Sequence, residues 1–373
     1  MKQFHEYKYK IVRNLNDEDI SHWTKLEDET NPIIFQRVSF VKNWFKNIYS
    51  EKEDKLFIIF IYKSEILVSV LPFCIKKSLF FSSLEWIGEP FNDLNFPILR
   101  KEISNKLDLY KFLEAILIEF KDEITIIKLK KQIKFFNNNF NPLFNKNSVF
   151  SSEKRKVLYL KLNKATQIYS IEKFLDNQYS KLFKRIKRNI NKYNLVYKSY
   201  KKQDAIHKDR IYNFFLKNKS SKMDRTGVWN YLNFTKYKNF IRDILNSDHS
   251  HFSELYDNKE LIACHIGFLI KNHYYYIFPA YNENYKKISP GHLSIFYNLK
   301  ELFNKKNEII FDFTIGNEGY KDYWSNQEEY LFTNYQYRNF YGKLIVNFFK
   351  FLDLNRNSFI FNFLKQKYIK IKK

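Results

Sequence analysis

Strand-like segments follow one another directly along this chain, and that order constrains its fold more than any other feature. The segments are residues 55–62, 65–75, 252–257, 261–270 and 273–279. Neighbouring segments are separated by short turn sequences such as Lys63-Ser64, which is typical of antiparallel hairpins. Helical patterns, such as that of residues 107–120, lie between the strand groups. The sequence therefore predicts an α+β fold built on hairpins rather than on regular βαβ units.

The length of 373 residues predicts two domains. Residues 137–152 are rich in Asn and Ser without periodicity, and we interpret them as the connection. Both halves contain paired strands followed by a turn, a helix and another strand, which indicates an internal duplication. We expect one domain over 1–150, a second over 151–342, and a basic, aromatic tail over 343–373 that docks as a helix or lies on a membrane surface.

Charge alone does not identify a partner. Lys and Arg outnumber Asp and Glu by 64 to 40, a net charge of +24. Lys, Asn, Ile, Phe and Tyr are all abundant, and AT-rich codons alone would produce that composition. The helical segment 179–193 carries six of the cations, and its face is either simply solvated or in contact with a phosphorylated partner. Both interpretations stay open at this point.

Several classes of protein are excluded by what the sequence lacks. With two Cys and seven Gly, the chain is neither a disulfide scaffold nor collagen-like. It contains no zinc-ligand spacing, P-loop, Rossmann fingerprint or nucleophile elbow, so we expect no metal. The first twelve residues do not resemble a signal peptide, and the most apolar stretch, 56–75, is interrupted by charges. We expect a cytoplasmic protein.

Three of the seven glycines lie close together, at 291, 316 and 319. A chain so poor in glycine retains it where the backbone needs it. Gly291 follows Ser289-Pro290 at the predicted start of a helix, where free N–H groups favour an anion. We expect Ser289 to cap this helix.

The second glycine cluster follows a strand that ends in Phe311-Asp312-Phe313. Asp312 alternates with aromatic residues, so it points either to solvent or into a pocket. The loop behind it presents Tyr320 and Lys321. We expect these three side chains to converge on one cleft.

Three segments in the second half carry a resemblance to a known family. They are LIACHIGF (261–268), YNENYKKISPGHLSIFYNLKELF (281–303) and IIFDFTIGNEGYKDYW (309–324). The chain resembles the GNAT (Gcn5-related) acyltransferase superfamily, in its CelD-type branch, which is related to the FemAB aminoacyltransferases. The resemblance implies tandem GNAT-like lobes, each a mixed, mostly antiparallel sheet flanked by helices, with the first lobe degenerate.

The resemblance also implies an activity. Acetyl-CoA or another acyl-CoA would donate the acyl group, and a sugar or polysaccharide precursor would accept it on an amine or hydroxyl. The pyrophosphate of CoA would lie on a loop made by Lys286, Lys287, Ser289, Gly291, His292 and Leu293, although this loop keeps one of the family's two glycines. The alternatives are aminoacyl-tRNA as the donor, as in FemAB relatives, and a non-catalytic basic binding module.

The residue types in these segments suggest catalytic and substrate-binding roles. The catalytic candidates are Asp312 and His265 as bases, Tyr320 as the acid and Lys321 as a charge partner. The substrate-binding candidates are Arg225, Trp229, Tyr281 and Trp324. Competing structural interpretations are a core histidine for His265, an exposed loop charge for Arg225 and core packing for both tryptophans.

Overall fold

A computed structural model describes residues 1–52, 54–104, 106–144, 149–164, 170–201, 205–316 and 318–354. The chain divides into two compact units. Residues 156–328 form the second unit, and the first combines residues 1–155 with the described part of the chain from Glu329 onwards.

The first unit is a mixed sheet with three α-helices before the chain enters the second unit. Its elements are β1 (Lys2–Phe4), β2 (Tyr7–Val12), α1 (Asp17–Thr30), α2 (Val38–Asn47), β3 (Asp54–Lys63), β4 (Ile66–Lys77), β5 (Ser82–Trp86), β6 (Ile98–Leu99), α3 (Leu109–Glu119), β7 (Ile126–Gln132), β8 (Phe135–Phe136) and β9 (Asn139–Phe140). The strand order is β1-β2-β3-β4-β5-β7, and β6 pairs with β4.

Strand β10 (Val149–Asn163) leads into the second unit. The elements of that unit are α4 (Ile171–Lys192), β11 (Leu195–Lys201), α5 (Ala205–Thr226), α6 (Thr235–Ile244), β12 (Ser250–Asp257), β13 (Glu260–Ile270), β14 (His273–Tyr281), α7 (Pro290–Lys305) and β15 (Glu308–Ile315). Its strand order is β10-β15-β14-β13-β12-β11. The chain ends its described part with β16 (Gln327–Tyr337) and α8 (Phe340–Leu354).

The two units repeat one topology. In the first, β3, β4 and β5 are antiparallel, and a crossover containing α3 leads to β7, which is parallel to β5. In the second, β12, β13 and β14 are antiparallel, and α7 leads to β15, parallel to β14. The expected α+β class is therefore confirmed, with mostly antiparallel strands flanked by helices in each unit.

Local sequence explains several boundaries. Asn16 caps α1 by accepting a hydrogen bond from the N–H of Asp19, and Asn31 ends the helix with a φ of +50°. Ser64 and Glu65 both have positive φ, as a tight hairpin turn between β3 and β4 requires.

The division of the chain differs from the expected boundary at 342. Residues 332–337 of β16 pair with β7, and α8 packs Val346 against Ile126 and Tyr335. This segment therefore belongs to the first unit because its backbone and apolar partners lie there. The expected tail is helical as far as Leu354, and residues 355–373 lie outside the described residues.

The core of the second unit lies between its sheet and the pair α4 and α7. Its members include Leu182, Leu293, Phe296, Phe311 and Phe313. Helix α5 packs on the other face of the same sheet. Consecutive side chains of β13 point to opposite faces of the sheet. The sulfur of Cys264 lies 3.9 Å from a carbonyl oxygen of α5, whereas His265 lies on the face that α7 covers.

Candidate active site

Strands β14 and β15 run parallel but are paired only at their start. The pairing covers three positions and ends at Tyr275 with Asp312. Beyond that point β14 continues to Tyr281 and β15 to Ile315, with no further pairing between them among the described residues. Ile277 has no opposite residue in β13, so β14 also bulges there. The result is an opening between two strands whose main-chain groups are available to a ligand.

Asp312 explains why the strands separate at this point. Its buried carboxylate accepts a hydrogen bond from the N–H of Thr314 at 2.7 Å and lies 3.1 Å from Nε2 of His273. Thr314 has a φ of +55°, which is unfavourable for a β-branched residue. The hydrogen bond to Asp312 compensates for that backbone strain and bends β15 away from β14. Asp312 thus shapes the opening, and no described hydrogen bond or ion pair joins it to Tyr320 or Lys321.

A pair of substitutions tests this positioning role. Asp312→Ala should lower the free energy of unfolding by about 2 kcal/mol, because Thr314 and His273 lose a buried partner. Asp312→Asn keeps an acceptor for Thr314 and should retain most of the stability. Denaturant unfolding measures both effects. A wild-type stability of Asp312→Ala would contradict the positioning role.

The N-terminus of α7 lies beside the end of β14. Ser289 occupies the cap position with a φ of +58° and makes no side-chain capping hydrogen bond, contrary to our expectation. The first N–H groups of the helix, those of Gly291 and His292, therefore have no capping partner from Ser289 and no acceptor within the helix. Tyr281 borders them, 3.8 Å from the position that a Cβ on Gly291 would occupy. An uncapped helix start of this kind favours an anion.

His292 is held as a neutral donor at this helix start. Its Nδ1 accepts a hydrogen bond from the indole of Trp324 at 3.0 Å, so Nε2 carries the proton. Burial, together with the nearby charge of Arg185, lowers the pKa of His292 to about 4. Leu293 and Trp324 are buried core residues, whereas Lys286 and Lys287 are exposed in the preceding loop.

Lys321 closes the loop that follows β15. Its ammonium donates to the carbonyl of Ile315 at 3.0 Å and pairs with Glu318 at 3.0 Å. Glycine suits position 316, because its φ of +141° is a conformation that residues with a side chain rarely adopt. The loop is therefore fixed by its own charges, and Lys321 is almost fully buried.

Two lysines of α5 lie near this loop and Tyr281. Lys219 is half-buried and makes no hydrogen bond or ion pair with the described residues. Burial and the charges of Lys222 and Lys321 lower the pKa of Lys219 to about 8, although Glu318 opposes the shift. Lys222 lies over the ring of Tyr281, 5.0 Å from its centroid. This cluster brings an amine that is partly neutral near neutral pH close to the opening.

Two tyrosines with raised pKa values, Tyr276 and Tyr320, lie near the opening. Burial raises the pKa of Tyr276 and of Tyr320, so both hydroxyls keep their protons. Tyr276 is the first residue of β14 beyond the paired positions, and Tyr320 packs near His292, with 6.5 Å between ring centroids. No hydrogen bond of the Tyr320 hydroxyl occurs within the described chain. A protonated, unengaged phenol is suited to donate a proton.

His265 lies one strand away from the opening. Its Nδ1 shares a hydrogen bond of 2.8 Å with the hydroxyl of Tyr274, and its ring stacks on Tyr276 at 3.9 Å between centroids. Nε2 is buried without a partner among the described residues, and burial beside His251 lowers the pKa of His265. His265 therefore contacts the opening only through Tyr276, which fits the structural interpretation.

The acceptor candidates lie on the α5 side. Arg225 pairs with Glu283 at 2.6 Å and is exposed. Trp229 is 40% exposed and contacts the rings of Tyr231, Phe234 and Tyr237. The structure thus brings Tyr320, Lys321, Gly291, His292 and Tyr281 to the opening.

Four residues near the opening were not predicted from the sequence: Tyr276, Lys219, Lys222 and Glu318. Tyr276 stands in a tyrosine-rich strand, which was a usable signal. Lys219 is one of 64 Lys and Arg residues, and nothing in its local sequence distinguishes it. Among the described residues, no three His, Cys, Asp or Glu side chains are grouped to hold a metal ion.

In the first unit, the position that corresponds to the opening between β14 and β15 is occupied by a strand-like contact of Asn95. Beyond the paired start of β5 and β7, Asn95 bridges to Gln132 and donates its N–H to the carbonyl of Lys131 at 2.8 Å. Asp108 caps α3 by accepting from the N–H of Lys111, which places a carboxylate where the second unit has free donors. The first unit therefore offers no equivalent anion site at this helix.

Comparison with known proteins agrees with this geometry. Residues 180–322 match the model of an acetyltransferase (GNAT) domain, and they lie within the second unit. No match was found among curated protein sequences.

Solved structures share the fold at low sequence identity. FemX superposes with a TM-score of 0.60 at 9% identity, over 91% of this chain and 100% of FemX. The C-terminal domain of a putative lysylphosphatidylglycerol synthetase from Agrobacterium fabrum superposes with a TM-score of 0.51 at 9% identity, over 88% of this chain and 94% of that domain. A conserved protein of unknown function from Bacteroides thetaiotaomicron superposes with a TM-score of 0.50 at 11% identity, over 87% of this chain and 99% of that protein.

The family model and the topology therefore agree that residues 180–322, within the second unit, match a GNAT acetyltransferase domain, and the chain shares its fold with FemX.

Proposed function

We propose that the second unit transfers an acyl group from an acyl-CoA, acetyl-CoA first among them, to an amine or hydroxyl of a sugar or polysaccharide precursor in the cytoplasm. The observation that carries this proposal is the separation of β14 from β15 directly beside the uncapped start of α7. An acyl-CoA matches both features, because its extended pantetheine chain would fit between the strands and its pyrophosphate would bind at the helix start.

The residues divide into donor and acceptor sides. The N–H groups of Gly291 and His292 would hold the pyrophosphate, with Lys286 and Lys287 in the exposed loop beside it. The acceptor would enter from the α5 side, near Lys219 and Tyr281. Exposed aromatic residues around Trp229 suit contact with a sugar ring.

The reaction needs two proton movements. The acceptor nitrogen or oxygen bonds to the thioester carbonyl carbon, and the carbon–sulfur bond breaks. The neutral form of Lys219 takes the proton that the acceptor loses. Tyr320 gives its proton to the departing thiolate, which leaves as the thiol. The lowered pKa of Lys219 and the raised pKa of Tyr320 suit these opposite tasks.

Aminoacyl-tRNA is the second candidate donor. Arg185, on the basic side of α4, is close enough to His292 to lower its pKa, so the cations of α4 adjoin the α7 start. Lys181, Lys184, Lys187, Arg188 and Lys192 are exposed on the same helix. A phosphate backbone would match such a row of cations. The fold likeness to FemX is consistent with this candidate.

Substitution of Gly291 tests the donor site. A side chain has room there, because the nearest atom would lie 3.8 Å from its Cβ. Gly291→Asp should weaken binding of acetyl-CoA at least about tenfold, since a carboxylate at the helix start repels phosphate. Gly291→Asn has the same shape without charge and should bind nearly as the wild type does. Isothermal titration calorimetry measures both.

The same titrations separate the candidates. Acetyl-CoA binding with no aminoacyl-tRNA binding supports the proposal, and the reverse result supports the second candidate. Binding of neither would favour a non-catalytic basic module. Equal affinities of the Asp and Asn variants for acetyl-CoA would contradict the placement of phosphate at α7.

A further inference from the structure

A large apolar surface is exposed on the first unit. Leu79 and Phe80, in the turn between β4 and β5, are 95% and 80% exposed, and Phe340 at the start of α8 is 73% exposed. The other exposed apolar residues of α8 are Tyr341, Leu344, Phe348, Phe351 and Leu354. We call these eight residues the apolar patch. Exposed side chains of this size in one place mark a surface that contacts something else.

Helix α8 is apolar on two opposite sides. One side carries Val346 and Phe349 and packs against Ile126 and Tyr335. The opposite side carries an exposed stripe at helical spacing, formed by Phe340, Leu344, Phe348 and Phe351. A helix that covers a core on one side normally shows polar residues on the other. The outer stripe of α8 therefore needs a second apolar partner.

The turn and the helix form one surface. The hydroxyl of Tyr341 donates to the carbonyl of Phe80 at 2.6 Å. Behind it, the rings of Phe81 and Phe349 meet edge to face, 5.6 Å apart. Leu79 and Phe80 are thus held beside the outer stripe of α8.

Cations surround the apolar patch. Lys77, Lys343 and Lys350 flank it, and none forms an ion pair with a described residue. The sequence that follows α8, residues 355–373, contains six Lys and Arg and no Asp or Glu; its structure lies outside the described residues. Apolar side chains edged by unpaired cations are complementary to an anionic lipid surface.

We propose that the apolar patch seats the first unit on the surface of an anionic membrane, with α8 lying in the plane of the interface. The helix has 15 residues and spans about 22 Å, which is short of a bilayer core. Among the described residues, no helix is long and apolar enough to cross a membrane. Leu79, Phe80 and the aromatic side chains of α8 would enter the boundary between headgroups and acyl chains.

A second copy of the chain suits the patch less well. A two-fold contact would place the same surface on both sides. Lys77, Lys343 and Lys350 of one copy would then meet the same cations of the other, which is unfavourable. Lipid phosphates instead supply the opposite charge.

Vesicle sedimentation with the full chain tests the proposal. We expect binding to phosphatidylcholine vesicles containing about one third phosphatidylglycerol, and much weaker binding to pure phosphatidylcholine. The variants Leu79→Ser/Phe80→Ser and Leu344→Ser/Phe348→Ser should each bind the anionic vesicles about tenfold more weakly or worse. Their melting temperatures should stay near that of the wild type, because the replaced side chains are exposed.

Ile118→Ser is the matched control, since Ile118 is 61% exposed on α3 of the same unit, outside the patch. It should bind as the wild type does. Equal binding to both vesicle types, or wild-type binding by the patch variants, would overturn the proposal. A different result would also overturn it: the wild type does not bind vesicles but forms a dimer in sedimentation velocity, and Leu79→Ser/Phe80→Ser dissociates that dimer.

Discussion

Replacing Tyr320 by Phe should lower the acyl-transfer rate about 10²–10³-fold, because in the reaction we propose the phenol gives its proton to the departing thiolate. Phe keeps the ring that packs near His292, so the fold and donor binding should be unchanged. The measurement is release of CoA thiol from acetyl-CoA, with a hexosamine as acceptor, beside calorimetry with acetyl-CoA. The rate should fall while the dissociation constant of acetyl-CoA stays constant.

Tyr323 provides the matched control for this substitution. It lies in the same loop, is 47% exposed, and also contacts the ring of His292. Tyr323→Phe should retain the wild-type rate. The rising limb of the rate against pH, which we assign to Lys219 with its pKa of about 8, should persist in the residual activity of Tyr320→Phe. Full activity of Tyr320→Phe would remove Tyr320 from the proton path.

Replacing Gly267 by Ala should destabilise the protein by about 3 kcal/mol, because its methyl group has no space in the sheet. The Cβ would lie 2.6 Å from the carbonyl oxygen of Tyr275, 2.6 Å from Cε1 of His265 and 2.9 Å from the hydroxyl of Tyr274. The carbonyl is part of β14 and cannot move without disturbing its pairing with β13. Denaturant unfolding followed by circular dichroism measures the loss.

Gly319→Ala is the control for this experiment. No atom of the described residues lies within 4 Å of the position of its Cβ, and its φ is not in the left-handed region. Gly319→Ala should change the free energy of unfolding by less than about 0.5 kcal/mol. If the two variants were equally stable, the close packing of His265 and Tyr274 around Gly267 would be contradicted.

Hairpins were the most predictable part of the fold. The pattern of β3 and β4, and of β12 to β14, comes from short apolar runs separated by local turn residues, and these short-range signals survive in the structure. Strands β5 and β11 were missed. The residues of β11 alternate in exposure, but the segment is short and polar, and its pairing with β12 is what makes it a strand.

Part of the site was also predictable. Gly291, Gly316, Tyr320 and Lys321 were selected because glycine is rare in this chain, and they lie at the opening or in the loop that borders it. The partners of Asp312 were not predictable. His273 is 39 residues away along the chain and comes within 3.1 Å only because β14 and β15 are paired at their start.

The sequence by itself determined most of the helices, the hairpins and the glycine positions, since each depends on residues close together along the chain. Only the tertiary structure decided that Asp312 bends β15, that Lys219 lies near Glu318, and that the described chain from Glu329 onwards belongs to the first unit. The physical reason is that strand pairing, burial and charge act between residues distant in sequence. Periodicity shows which face of an element is apolar but not which partner covers it.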